Sequence, residues 1–118
     1  MEKFKDWTDP AAKLPEDAVD RDRILTDVSI YWFTGTAGSS AHTYFERFND
    51  FSAWEPKERG TVPTAVAVFP ADFSIRPLAE QVHTIARWSE FDHGGHFAAL
   101  ETPEVLIDEL RAFFRTVA

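Results

Sequence analysis

The stretch that decides the fold is "TVPTAVAVFPADFSIRPLAEQVHTIARWSEF", residues 61–91. Its first part is a short apolar run rich in Val, bounded by Gly60 and Pro70. A run of that length suits a fully buried parallel strand. Pro63 belongs near the strand's start, where its missing N–H is tolerated. "RPLAEQVHT" then reads as a short helix with Pro77 in its first turn. "TIARWSEF" has the size of a second strand. Strand, helix, strand is a crossover unit, and it demands parallel strands with helices packed on them.

The last element completes the unit. Thr102 sits at an N-cap position, Pro103 at the first helical position, and Glu104 complements the helix dipole. Leu106, Leu110, Phe113 and Val117 recur at helical spacing, with Ile107 and Phe114 beside them. The pattern predicts a helix over residues 103–117. The second half is therefore a βαβα unit. Two strands make a small sheet with open edges, so this half reads as one end of a larger α/β sheet.

The first half is helical. Pro15 with Glu16 and Asp17 opens one short turn. Asp20 caps a longer helix over residues 21–34, which Gly35 stops. Ile24, Leu25, Val28, Tyr31 and Trp32 form its apolar stripe. Ile30 and Phe33 widen the stripe, which predicts burial on more than one side. "GSSAHTYFERFND", residues 38–50, reads as a further helix capped by Ser39 or Ser40. Residues 50–60 read as a loop. Residues 1–14 read as a helix end and a loop, entered as if part-way along a longer chain.

Composition narrows the function classes. The 118 residues fit one domain at most, and 44% are apolar, which argues against disorder. Eleven Phe and four Trp can fill a core or line an apolar pocket. The net charge is −8 with no basic patch, which speaks against nucleic acid as a partner. With no cysteine, disulfides and thiolate metal sites are excluded. No His-x-x-x-His pair suggests zinc, and no metal or cofactor is expected. No signal region and no apolar run of membrane-spanning length stand out, so the default location is cytoplasmic.

Reactive groups in open α/β sheets sit in loops after the carboxyl ends of strands. The first strand ends in "VFPAD", which places Asp72 just beyond it. The second leads to "DHGGH", which places His96 in the next such loop. Neighbouring parallel strands bring these loop ends together. A carboxylate on one imidazole nitrogen fixes the tautomer and supports the cation formed when the other nitrogen takes a proton. Two plainer readings stand beside this one: His96 as a surface residue, and Asp72 as a turn residue or a cap for the helix near residues 74–76. His42, His83 and His93 lack such a setting and read as ordinary polar residues.

Four segments carry a resemblance: "YWFTGTAGSSAHTYFE" (31–46), "VPTAVAVFPAD" (62–72), "GGHFAALETPEVLIDELRAFF" (94–114) and "EKFKDWTD" (2–9). Together they resemble the carboxyl-terminal part of microsomal-type epoxide hydrolases, of the α/β-hydrolase superfamily. The resemblance implies a helical cap-like segment over residues 1–58 and a hydrolase core segment over 59–118. It implies hydrolysis of an apolar epoxide to a vicinal diol, a detoxifying reaction, without a cofactor. His96 falls on the family's base, Asp72 on the orienting acid and Tyr44 on one of two cap tyrosines. Trp32, Phe33, Phe69 and Phe97 are candidates to line the substrate pocket, with plain core packing as the alternative.

Three parts of that machinery are not in the sequence: the nucleophile turn, the segment that supplies oxyanion donors and the second tyrosine. No G-x-S-x-G or G-x-D-x-G turn occurs to hold the attacking aspartate. The expectation is a chain inactive alone: a truncated enzyme, a gene fragment, or one half of a split enzyme whose partner is a missing amino-terminal half. The alternative is a non-enzymatic module that binds or oligomerises, for example with a second copy at the sheet edges.

Overall fold

The computed structural model describes residues 2–50, 55 and 58–118. Most of the loop read over residues 50–60 lies outside the described residues. Helices come first: α1 (Glu2–Trp7), α2 (Pro15–Ala18), α3 (Arg21–Thr34) and α4 (Ala37–Asn49). Then follow β1 (Pro63–Val68), α5 (Arg76–Val82), β2 (Thr84–Glu90), α6 (Ala98–Glu101) and α7 (Pro103–Val117).

The crossover unit forms as the sequence demands. β1 and β2 pair in parallel, from Pro63 opposite Thr84 to Val68 opposite Glu90, with one irregularity between Thr64 and Ala65. Both strands are half-buried rather than fully buried, which corrects the expectation for β1. Each has one paired neighbour and one open edge among the described residues.

The caps are local chemistry. Asp20 accepts hydrogen bonds from the N–H groups of Asp22 and Arg23 and so opens α3. Gly35 closes α3 in the left-handed region, with φ 65°. Helix α4 starts earlier than Ser39 or Ser40 would allow. Thr36 precedes its first turn, and both serine hydroxyls donate back to carbonyls, Ser39 to Thr36 and Ser40 to Ala37. They are bonded within the helix and cap nothing. Pro103 opens α7 as expected, but the Thr102 hydroxyl turns to the Ala98 carbonyl at 3.4 Å. The preceding turn, α6, has drawn it away.

A half-buried ion pair fixes α7 to the sheet. Arg87 on β2 grips Glu109 with two bonds, 2.5 Å from Nε to Oε1 and 2.8 Å from Nη2 to Oε2. Ser89 adds a bond of 2.8 Å to Oε1. The guanidinium first, and the Ser89 hydroxyl with it, hold the Glu109 carboxyl below its ordinary range, against burial, which pushes it up.

Cover is thin elsewhere. Among the described residues the buried apolar core consists of Phe4, Val19 and Ile24, with Ala18, Phe97 and Leu100 packed against it. The accessible surface is 9256 Å², against about 6,500 Å² for a compact monomer of this mass. On α3, Ile30, Trp32 and Phe33 are exposed and only Ile24 is buried. This corrects the expectation of burial on more than one side: the apolar positions are present, but nothing among the described residues packs on them. No helix among the described residues is long and apolar enough to cross a membrane.

Candidate active site

The loop after β2 answers why a histidine follows two glycines. Gly94 and Gly95 are both buried, although His96 itself is exposed. Gly94 has φ 88°, and a Cβ there would lie 2.9 Å from the Thr102 hydroxyl and 3.1 Å from the Phe69 ring. At Gly95 a Cβ would meet backbone: Asp9 N and Thr8 C at 2.6 Å, Trp7 O at 2.9 Å. The glycines let the loop lie flat against the chain at residues 7–9.

That contact is a hydrogen-bonded clamp. The His96 N–H donates to the Trp7 carbonyl at 2.8 Å. The Gly94 N–H donates to Asp9 Oδ2 at 2.7 Å, and Asp9 Oδ1 accepts from Ala11 N–H at 2.8 Å. Glu101 closes the other side, accepting from Asp9 N–H at 2.7 Å and from Phe97 N–H at 2.9 Å. Buried backbone groups need partners, and here two carboxylates and one carbonyl supply them across almost the full length of the chain.

The His96 ring packs between two aromatic neighbours. Trp7 meets it edge-on with ring centroids 4.8 Å apart, and Phe97 does so at 5.0 Å. Phe97 in turn lies 4.6 Å from Phe4 in the core. Helix α1 and the turn after it therefore hold the histidine loop from below. These contacts cross the boundary drawn between residues 1–58 and 59–118.

Asp72 stands in the loop after β1, with its neighbour Ala71 at φ 67°. Its Oδ1 accepts from Ser74 N–H at 2.7 Å, a turn-forming bond. Among the described residues no hydrogen bond or ion pair joins Asp72 to His96, and Asp72 Oδ2 has no hydrogen-bond partner. Tyr44 lies on α4, half exposed, and its phenol oxygen accepts from Lys3 Nζ at 2.5 Å.

The four pocket candidates are dispersed. Phe69 stacks on Phe91 at 5.0 Å, and Phe97 belongs to the core cluster. Trp32 is 80% exposed and Phe33 85% exposed at the end of α3. Phe33 lines an open groove along α3 with Leu25 and Ile30, apart from His96, Asp72 and Tyr44. A cavity of about 310 Å³ beside the clamp is lined by Asp9, Asp17, His93 and Glu101 among others, and not by those four aromatics. The other histidines are plain: His42 pairs with Glu46, His93 with Asp92, and His83 ends α5.

The clamp residues Trp7, Asp9 and Glu101, and Lys3 beside Tyr44, are not among the sequence candidates. No local pattern marks them, since their partners lie far away in the chain. The signal they carry is that "EKFKDWTD" and the segment 94–114, which holds Glu101, resemble known segments.

Comparison with known proteins settles the relationship. A putative epoxide hydrolase of Stigmatella aurantiaca is 42% identical over 97% of this chain. Epoxide hydrolase 1 of Sus scrofa is 33% identical over 96% of it. The structure of an enantioselective epoxide hydrolase mutant from Aspergillus niger superposes on 98% of the chain, with a TM-score of 0.74 and 30% identity. The chain belongs to the epoxide hydrolases. It matches a carboxyl-terminal part of their α/β-hydrolase fold, spanning 26% and 27% of the length of the first two relatives and 28% of the fungal chain. No family model matches it.

The βαβα unit carries the two loops after β1 and β2, and α1 fixes the second of them.

Proposed function

We propose that these residues supply the base, the orienting acid and one oxygen-binding phenol of an epoxide-hydrolysing site. An attacking carboxylate from outside the 118 residues opens the epoxide at carbon, and the ring C–O bond breaks. Tyr44 donates a hydrogen bond to the oxygen as its charge develops. The ring-opened oxygen takes the phenol's proton; His96 then takes a proton from water, the hydroxide attacks the ester carbonyl, the imidazolium returns its proton to the departing alkoxide to release the diol and the carboxylate, and the second water proton restores the phenol. Asp72, whose Oδ2 has no hydrogen-bond partner among the described residues and which does not bond His96 there, is the carboxylate assigned to hold the imidazole in the right tautomer in the assembled site. An apolar epoxide as substrate, and a cytoplasmic detoxifying role, go with this reading.

The observation that carries it is the clamp on the His96 loop. An exposed surface histidine needs no two buried glycines and no pair of carboxylates to fix its backbone. This one has both, in a chain of this family, at the loop where the strand ends.

A chimera tests the proposal. The aligned segment of the Stigmatella relative is replaced by these 118 residues, and diol formation from styrene oxide is measured. Hydrolysis is expected, with His96→Gln lowering kcat by at least about 10³-fold, since groups acting as a unit fail together. The 118-residue chain alone should give no diol above the uncatalysed background. Robust turnover by that chain, or a chimera indifferent to His96→Gln, refutes the assignment.

A second reading has its own support in the 9256 Å² of accessible surface and the open strand edges: a binding or self-associating module. Sedimentation of the chain separates the two. A stable dimer with an inactive chimera favours the module.

A further inference from the structure

Helix α1 touches both ends of the proposed chemistry. Lys3 and Trp7 are four residues apart and share one face of the helix. Lys3 Nζ donates to the Tyr44 phenol oxygen at 2.5 Å and lies 3.7 Å from the centre of that ring. The same ammonium sits 4.8 Å from the Trp7 ring centre. Trp7 then meets the His96 ring at 4.8 Å and accepts the His96 N–H on its carbonyl at 2.8 Å. Phenol and imidazole are thus three short contacts apart, all made through one turn of helix.

The helix is anchored against rotation. Phe4, on another face, is 5% exposed and packs on Phe97. Thr8 is 6% exposed and its hydroxyl donates to the Phe4 carbonyl at 2.7 Å. Beyond it, Asp9 bonds to Gly94 and Glu101.

We infer that residues 3–9 form a strut that sets the position of the Tyr44 phenol relative to His96, with Lys3 as the positioning residue at its outer end. The inference rests on the epoxide-hydrolysing reading. Lys3 occupies a lone pair of the phenol oxygen, so the O–H points elsewhere and is free for the substrate. A charged donor on that oxygen also polarises the O–H and makes it a stronger hydrogen-bond donor. The ammonium adds positive charge close to where the alkoxide forms.

Two measurements test this. In the chimera, Lys3→Met is expected to lower kcat about tenfold with KM little changed, because the lost interaction matters in the transition state. Lys3→Arg keeps a cationic donor and should recover most of that loss. Lys3→Met combined with Tyr44→Phe should be no slower than Tyr44→Phe alone, since Lys3 acts through the phenol. Full additivity, or an unchanged kcat in Lys3→Met, overturns the inference while leaving the proposed function standing. In the 118-residue chain, nuclear Overhauser contacts are expected from the Lys3 side chain to the Tyr44 and Trp7 rings, and from Trp7 to His96. Their absence overturns the strut irrespective of activity. A chimera without hydrolysis sinks the catalytic reading instead, and the Overhauser pattern alone then decides whether the strut exists.

Discussion

Gly95→Ala is the substitution that interrogates the clamp most directly. The new methyl carbon would lie 2.6 Å from Asp9 N and from Thr8 C, and 2.9 Å from Trp7 O. All three are backbone atoms, so no side chain can swing away. Either the histidine loop or the chain at residues 7–9 must retreat. Forcing a methyl into a filled site costs about 1–3 kcal/mol. Retreat also stretches the 2.8 Å bond from His96 N–H to Trp7 O, and a lost hydrogen bond adds about 1 kcal/mol. The expected destabilisation is about 2–4 kcal/mol in urea unfolding. For a chain of this size that lowers Tm by roughly 8–16 °C. Gly38→Ala is the control, because a Cβ there meets nothing within 4 Å and the residue lies inside α4. It should be neutral or stabilising by up to about 1 kcal/mol. If Gly95→Ala unfolds within about 0.5 kcal/mol of the wild type, a difference ordinary for a surface change, then the loop does not lie against residues 7–9 and the clamp argument fails.

Other substitutions probe the same framework. Phe4→Ala removes a ring that is 5% exposed and packed on Phe97; thermal unfolding should report a loss of about 3–5 kcal/mol. Glu101→Ala leaves the Asp9 and Phe97 N–H groups without their acceptor; denaturant unfolding should show about 2–4 kcal/mol lost, and amide exchange at those two positions should accelerate. Glu109 is held below its ordinary value near 4.5 by Arg87. A carboxylate depressed in the folded state contributes stability above its unfolded pKa and loses it as pH falls through the folded one. Urea midpoints should therefore drop as the pH goes below that ordinary value, and Glu109→Gln should flatten this slope. Equal slopes in both proteins would argue that the Arg87 contact is not made in solution.

What could be read from the sequence was local. Pro15, Asp20 and Gly35 set helix boundaries through the backbone groups next to them, and α2 and α3 begin and end where those residues place them. The Val-rich run, the Pro77 helix and the following strand yield the parallel pair because a short crossover permits little else. The cap expected at Ser39 or Ser40 does not form for a local reason too: a hydroxyl inside the first turn bonds backward as readily as it caps.

Burial was less legible. Apolar spacing marks which face of a helix wants cover, as on α3, but not what covers it, so Trp32 and Phe33 stand exposed. The candidate site divides the same way. His96 and Asp72 were visible because strand-end loops are where such groups belong, and Tyr44 because its segment resembled a known one. The clamp was not visible. Asp9 meets Gly94 across 85 positions and Glu101 across 92, and no periodicity or turn rule spans such distances. The sequence by itself determined the elements and the loops that could bear chemistry, because backbone sterics and short-range hydrogen bonds act within a few residues. Only the tertiary structure decided that helix α1 folds back beneath the histidine, because that depends on which distant carboxylates and carbonyls satisfy the buried N–H groups of one loop.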